Sequence, residues 1–353
     1  MPCIYRSGSS QVALLRIALW ILISSIGNWA HGDCSNLPDT PIRWIVPNTT
    51  GSMYDFYART MESALEGNVG VSVHIDNVSG GGGIAAAREI AAAPANGATI
   101  GIVNGAGLLV AGLTGREGVP QLADEFHILG RASPTQHVWV VAGNSPFQSL
   151  GDLRRAAPED PIVFGVRNVA SSSFASVAIG AHVLDFPHSI VAGYASNRDT
   201  RLAVLRGEVD VVSMDRWSGA QMLESGGLRA ILQLSNVPFD GGPGLAGVPT
   251  LTGGKIGRPI VPERLAAARA LVALLKTNRL FVAPRGLDSL ASVCLEEAIA
   301  ATLADEVVAG ALESRASRVD FATGVAANAD LQAMVEQLPQ LATVVRAAAD
   351  RLR

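Results

Sequence analysis

Two hydroxyl-rich loops, each directly after an apolar strand, carry the chemistry of this sequence. A helical pattern begins after each loop, so free backbone N–H groups and short hydroxyls converge there. Such a loop can bind a carboxylate without a buried Lys or Arg. Each hydroxyl has an alternative role as a helix N-cap. The hydroxyls concerned are those of Thr49, Thr50, Ser52, Ser171, Ser172 and Ser173.

Charged and aromatic residues accompany the two loops. Asp55 stands in the first turn of the helix after the first loop, where it can contact a ligand or favour the helix dipole. Arg167 begins the second loop and can pair bidentately with a carboxylate or remain a solvated loop residue. Asp215 and Trp217 follow a later strand end, which places them near the same ligand.

Catalytic and metal motifs are not found in the sequence. The histidines His74, His127, His137, His182 and His188 are scattered, without HExxH or GxSxG spacing. A glycine-rich run at 79–83 imitates a dinucleotide-binding loop, but it follows the second strand where that motif follows the first. These glycines favour a tight turn, and we expect no cofactor, no metal and no enzymatic activity.

Alternating strands and helices must position these loops. Apolar runs at 42–47, 71–76 and 98–105 alternate with helical patterns, which predicts a parallel, doubly wound sheet. A second unit of the same kind spans 161–215. Further strands are predicted at 127–132, 137–143, 228–235 and 279–284, an irregular stretch at 105–126, and helices from 287 onward with breaks near 317–323 and 327–328.

Length, charge and the N-terminus limit the possible functions. The 353 residues suffice for two domains, and a net charge of −4 disfavours a nucleic-acid partner. The apolar run 17–23 and the small residues before Asp33 predict a signal peptide at 1–32, with an uncleaved anchor as the alternative. Cys34 and Cys294 remain after cleavage, either as a disulfide or as two thiols.

Seven sequence stretches in a fixed order carry a family resemblance. They are VPNTTGSMYD (46–55), DNVSGGGG (76–83), APANGATIGI (93–102), FGVRNVASSSF (164–174), the stretch 193–215, LRAILQLS (228–235) and GVPT (247–250). Together they resemble the periplasmic receptors of tripartite tricarboxylate transporters, the Bug family. The resemblance covers the chain from about residue 41 to its C-terminus.

The resemblance implies an α/β protein with the type II periplasmic-binding fold. Two doubly wound lobes would be joined by crossover strands and would close on a ligand like a Venus flytrap. We expect lobe 1 at 33–143 and 236–353, and lobe 2 at 144–235. The expected partners are a small organic acid and membrane transporter subunits, for a monomeric protein in the periplasm. Two alternatives to a transport function remain: the protein could feed a sensor protein, or it could be an enzyme on the same scaffold.

The family's ligand loops map onto named positions of this chain. Met53 and Tyr54 replace small family residues, so they would narrow the cleft or give it an aromatic wall. Together with Arg167, these replacements make a standard di- or tricarboxylate ligand doubtful. The predicted ligand-binding residues are Thr49, Thr50, Gly51, Ser52, Tyr54, Asp55, Asn104, Arg167, Ala170, Ser171, Ser172, Ser173, Tyr194 and Asp215.

Overall fold

The computed structural model describes residues 34–239, 242, 244–253, 256–315 and 319–352. The predicted signal peptide at 1–32 lies outside these ranges. Within them, no helix is both long enough and apolar enough to cross a membrane.

The described chain alternates strands and helices. Its strands are β1 (Ile42–Pro47), β2 (Val73–Val78), β3 (Thr99–Asn104), β4 (Phe126–Arg131), β5 (His137–Ala142), β6 (Ile162–Val166), β7 (His188–Ala192), β8 (Val211–Asp215), β9 (Leu228–Gln233), β10 (Asn278–Pro284) and β11 (Ala322–Thr323). Its helices are α1 (Met53–Val69), α2 (Ile84–Ala92), α3 (Gly105–Leu113), α4 (Leu150–Leu153), α5 (Ser172–Leu184), α6 (Asn197–Leu205), α7 (Ala220–Glu224), α8 (Pro262–Lys276), α9 (Ser289–Ala304), α10 (Glu306–Arg315), α11 (Gly324–Val335) and α12 (Leu338–Asp350).

The strands form two sheets. The first has the order β11-β4-β10-β3-β1-β2, and the second has the order β7-β6-β8-β5-β9. In each sheet three strands run parallel with helices between them: β2-β1-β3 in the first and β7-β6-β8 in the second. The predicted two-lobed α/β architecture with doubly wound units is confirmed.

The chain crosses between the sheets twice, through strands that run antiparallel to their neighbours. β5 pairs with β8 and β9 in the second sheet, and β10 pairs with β3 and β4 in the first. The first crossing therefore lies at 132–136, between β4 and β5. The boundary predicted at 143/144 would leave β5 in the first lobe, where it has no partner strand. The second boundary, predicted at 235/236, falls just after β9.

Three apolar clusters fill the molecule. One lies between β1 of the first sheet and α1, α9 and α10, and another between the second sheet and α6. The largest contains buried residues of both sheets together with α3, α5, α8 and α12. α5 of the second lobe packs against α8 and α12, and α3 of the first lobe packs against α5. Helices of the two lobes thus pack directly against one another.

Three helices differ from the sequence expectation. α3 occupies part of the stretch predicted to be irregular, because its run GAGLLVAGL is apolar on every face and shows no amphipathic period. No element was predicted for α8, although Pro262 in the first turn and Lys276 in the last are typical helix ends. The break predicted near 327–328 lies inside α11, and the chain instead breaks at 336–337.

Cys34 and Cys294 form a disulfide, which settles the alternative that the sequence left open. The bond ties the first described residue to α9, where Cys294 is 2% exposed.

Candidate functional site

A cavity of about 860 Å³ opens between the two lobes, and we call it the outer cleft. The loop after β1 and the loop after β2 line it from the first lobe. Arg167 and Asn168, the start of α6 and the segment 217–222 line it from the second lobe. These are ends of strands and beginnings of helices, the positions at which an open α/β sheet exposes unpaired backbone amides.

The loop after β1 is held in shape by its own polar groups. Ser52 caps α1, since its Oγ accepts a hydrogen bond of 3.3 Å from the Asp55 N–H. Asp55 accepts bonds from the Gly51 N–H at 2.8 Å and from Arg59 Nε at 2.9 Å, and it is 2% exposed. Asp55 therefore shapes the loop and does not line the cleft.

The loop after β6 is built in the same way. Ser171 caps α5: its Oγ accepts from the Phe174 N–H at 3.1 Å and donates to the Asn168 carbonyl at 2.6 Å. Asn104 caps α3 through the Gly107 N–H at 3.1 Å. The capping alternative thus holds for Ser52 and Ser171, while Ser172 lines a cavity without a hydrogen bond to any other described side chain.

Below the outer cleft lies a smaller cavity of about 80 Å³, which we call the inner chamber. Asn48, Met53, Tyr54 and Arg167 line both cavities and form the passage between them. The chamber is lined mainly by polar side chains that reach it from both sheets: Asn104, Thr135, His137, Ser171, Ser172, Ser173, Ser213, Asp215, Asn278 and Arg279.

A buried ion pair crosses between the lobes at this chamber. Arg279 on β10 donates through Nη2 to Asp215 Oδ2 at 3.1 Å, and both side chains are at most 10% exposed. Arg279 also donates to Ser133 Oγ at 3.2 Å in the first crossing, and its guanidinium lies 5.1 Å from the ring centre of Tyr57. Its φ of 56° lies in the left-handed region, at an irregularity of β10.

His137 lies beside this ion pair and is neutral at pH 7. Burial, together with the charge of Arg279, lowers its pKa to about 4, against the opposing influence of Asp215. Its Nδ1 lies 3.1 Å from Ser213 Oγ, and Ser176 Oγ lies 2.5 Å from the same oxygen. Ser213 is buried, and its hydroxyl contacts both His137 and Ser176, so the three side chains form a polar network at the chamber.

The outer cleft is electropositive. Arg167, Arg198 and Arg201 line it, and its described lining contains no Asp or Glu. Burial lowers the pKa of Arg167, and the one hydrogen bond that its guanidinium donates among the described residues goes to Asn48 Oδ1 at 3.2 Å. Burial and the neighbouring Arg198 lower the pKa of Arg201. Three guanidinium groups without a described carboxylate partner favour an anionic ligand.

An apolar wall completes the cleft. Met53, Tyr54, Trp217 and Met222 line it from opposite lobes. Burial raises the pKa of Tyr54 to about 12, so its hydroxyl keeps its proton at neutral pH. The guanidinium of Arg216 stacks over Trp217, with its Cζ 4.1 Å from the centre of the tryptophan ring. Tyr54 and Trp217 make part of this wall aromatic, which is one of the two alternatives that the sequence left open for Met53 and Tyr54.

The structure brings most of the predicted residues to the two cavities. Asp55, Ala170 and Tyr194 line neither. Ala170 is 1% exposed, and Tyr194 packs against the apolar cluster of the second sheet. Those that line a cavity are Thr49, Thr50, Gly51, Ser52, Tyr54, Asn104, Arg167, Ser171, Ser172, Ser173 and Asp215.

Four charged or titratable side chains that line the cavities were not predicted as ligand contacts: His137, Arg198, Arg201 and Arg279. Arg198 and Arg201 open α6 within a quoted family stretch, so their spacing on one helix was the available signal. Arg279 and His137 reach the chamber only through the two crossings of the chain, for which sequence gives no signal. Within the described ranges, no group of three His, Cys, Asp or Glu residues could hold a metal ion.

Comparison with known proteins identifies relatives of low identity. No family model matches the chain. It is 33% identical over 147 residues to the UPF0065 protein of the tcbD-tcbE intergenic region of Pseudomonas sp. strain P51, a match covering 41% of each chain. It is 24% identical over 231 residues to a UPF0065 protein of Bordetella pertussis, covering 64% of this chain and 69% of that one.

Solved structures share the fold across most of the chain. A TctC solute-binding protein from Polaromonas has a TM-score of 0.66 at 16% identity, covering 88% of this chain and 99% of that one. The periplasmic binding protein BugD has a TM-score of 0.66 at 18% identity, covering 88% and 98%. MatC from Rhodopseudomonas palustris with bound malate has a TM-score of 0.66 at 18% identity, covering 88% and 100%.

These findings agree with the seven sequence stretches. The resemblance they carry is confirmed: the chain is similar to UPF0065 proteins at low identity, and it shares the two-lobed fold of the TctC solute-binding protein and of BugD.

Proposed function

We propose that this protein is an exported, non-enzymatic solute-binding protein that captures a small organic acid in the outer cleft. The observation that carries the proposal is the charge of that cleft: three arginines line it and no described acidic residue does. A partly buried cation such as Arg167 is costly without a counter-charge, and a bound carboxylate would offset that cost. The structural neighbour MatC was solved with malate, a ligand of this class.

Binding would bring the lobes together. Asn48 of the first lobe and Arg167 of the second already contact each other at the passage between the cavities. An acid held there would touch the loop after β1 and the loop after β6 together. Because it gains both sets of contacts only when the lobes are closed, it would stabilise the closed form.

The closed protein would then deliver its ligand to membrane transporter subunits, acting as a monomer in the periplasm. The disulfide between Cys34 and Cys294 supports export, because such bonds persist mainly in oxidising compartments. The sequence supports the same route through the predicted signal peptide. Mass spectrometry of the mature protein from the periplasmic fraction tests this, and a chain beginning at Asp33 is the expected result.

Ligand binding is tested on the chain beginning at Asp33, by calorimetry with mono-, di- and tricarboxylates. We expect Arg167→Gln to weaken binding of the best acid by about 10- to 100-fold, since a hydrogen bond to a charged group contributes about 1.5–3 kcal/mol. The matched control is Arg206→Gln, which removes an arginine that is 65% exposed and lines neither cavity.

Two results would contradict the proposal. One is that no acid binds at millimolar concentration. The other is that Arg206→Gln weakens binding as much as Arg167→Gln, which would place the acid outside the cleft.

A further inference from the structure

Asp215 is the single acidic residue in the described lining of the inner chamber, and both its carboxylate oxygens are occupied. Its Oδ2 accepts a hydrogen bond from Arg279, and its Oδ1 accepts one of 3.0 Å from the backbone N–H of Trp217. Asp215 is 9% exposed and Arg279 is 4% exposed. The negative charge of Asp215 is therefore committed to an interaction within the protein.

A ligand ammonium group would find no counter-charge in either cavity. If the ammonium group paired with Asp215, Arg279 would remain buried without its carboxylate partner. Breaking a buried ion pair in this way costs binding free energy. In the outer cleft it would approach Arg167, Arg198 and Arg201 instead, all of the same sign. Both routes penalise an amine relative to the plain acid.

The apolar wall gives the ligand a second property. Met53, Tyr54, Trp217 and Met222 are all partly exposed along the outer cleft. The volume of about 860 Å³ lies at the upper end of the usual range for small-molecule pockets. A short acid would leave most of this wall in contact with water, whereas an acid with an apolar body would cover it.

We infer that the outer cleft and inner chamber select an organic acid that has an apolar body and no ammonium group. The inference rests on the proposed function and specifies its ligand. The carboxylate lies against Arg167, the body lies against Tyr54 and Trp217, and the Arg279–Asp215 pair stays intact. An amino acid with the same skeleton is rejected by charge, not by size.

Three compounds that differ by one group each test the inference in the unmodified protein. Calorimetry compares propionate, 3-phenylpropionate and phenylalanine. Adding the phenyl ring to propionate should strengthen binding by about tenfold or more through burial of apolar area. Adding the ammonium group to 3-phenylpropionate should weaken binding on the order of a hundredfold. Succinate and aspartate form a second pair without the ring, with the same direction expected.

A variant at Arg279 makes the carboxylate of Asp215 available to a ligand ammonium group. Arg279→Gln removes its partner, so the preference for 3-phenylpropionate over phenylalanine should fall by about tenfold or more. Arg206→Gln is again the control and should leave the preference unchanged. Arg279 is buried, so circular dichroism must first show that the variant folds; if it does not, the comparison in the unmodified protein decides.

The outcomes separate this inference from the proposed function. If acids bind but phenylalanine binds within a few-fold of 3-phenylpropionate, the inference is wrong and the proposed function stands. If the phenyl ring brings no gain, the apolar wall is not part of the ligand site and the inference is likewise wrong. If no acid binds at all, both fail together.

Discussion

At the scale of single residues, His137 shows how position determines chemistry. The same imidazole would have a pKa near 6.5 in water, but burial beside Arg279 lowers it to about 4. The folded protein therefore holds it neutral, within a network that includes Ser213 and Ser176. Sequence alone assigns no role to this histidine, and the structure places it at the junction between the lobes.

The pKa of His137 predicts a pH dependence of stability. Between pH 6.5 and about 4 the unfolded chain binds a proton at this site and the folded protein does not, so stability falls as pH falls through that window. The full shift corresponds to about 3 kcal/mol. In urea unfolding at pH 7 and pH 4.5, His137→Gln should lose much less stability on acidification than the unmodified protein does.

His74→Gln is the control for this experiment, because His74 is exposed on β2. It should behave like the unmodified protein. An equal loss of stability in His137→Gln and the unmodified protein would show that other groups cause the acid sensitivity.

At Gly82 the absence of a side chain allows the two lobes to approach each other closely. A Cβ atom there would lie 2.7 Å from Asn168 Oδ1 and 2.8 Å from Ala170 Cβ, both in the opposite lobe. Its φ is +76°. Gly70 has nearly the same backbone angle, φ +77°, but nothing lies within 4 Å of its Cβ position.

The two glycines make a matched pair for testing lobe closure. Gly82→Ala and Gly70→Ala should both lose about 1–2 kcal/mol of stability through backbone strain. Only Gly82→Ala should also hold the lobes apart and weaken ligand binding, by about tenfold or more, because the closed form becomes less populated. Small-angle scattering with ligand should show a larger radius of gyration for Gly82→Ala. Equal affinities in the two variants would contradict this account.

At the scale of elements, the disulfide ties the start of the described chain to α9. It closes a loop with a sequence separation of 260 residues, so it restricts the unfolded chain strongly. Cys294 is buried, and α9 packs against α1 of the first lobe. The bond therefore stabilises the lobe that carries the loop after β1.

Removing the disulfide should cost about 2–5 kcal/mol of unfolding free energy. The test compares urea unfolding of the double variant Cys34→Ala, Cys294→Ala with that of the unmodified protein. Dithiothreitol should lower the midpoint of the unmodified protein and leave the variant unchanged. If the midpoint of the variant equals that of the oxidised protein, the bond contributes no stability.

The elements also show what sequence could predict. The loops at 48–55 and 167–173 were predicted because strand, turn and helix signals lie next to each other in the chain. α3 was missed because it is apolar on all faces, and burial in packed helices leaves no amphipathic period. The ion pair of Asp215 with Arg279 joins residues 64 positions apart through the second crossing of the chain. Local patterns carry no information on such a contact.

At the scale of the whole molecule, the position of β10 has a consequence for biosynthesis. This strand lies between β3 and β4, so the first sheet lacks a central member until residues 278–284 have been made. Contacts between distant parts of a chain form slowly, because loop closure must precede them. A nascent chain with this topology cannot complete its first lobe early. The order of its strands alone therefore delays completion of the first sheet until most of the described chain has been made.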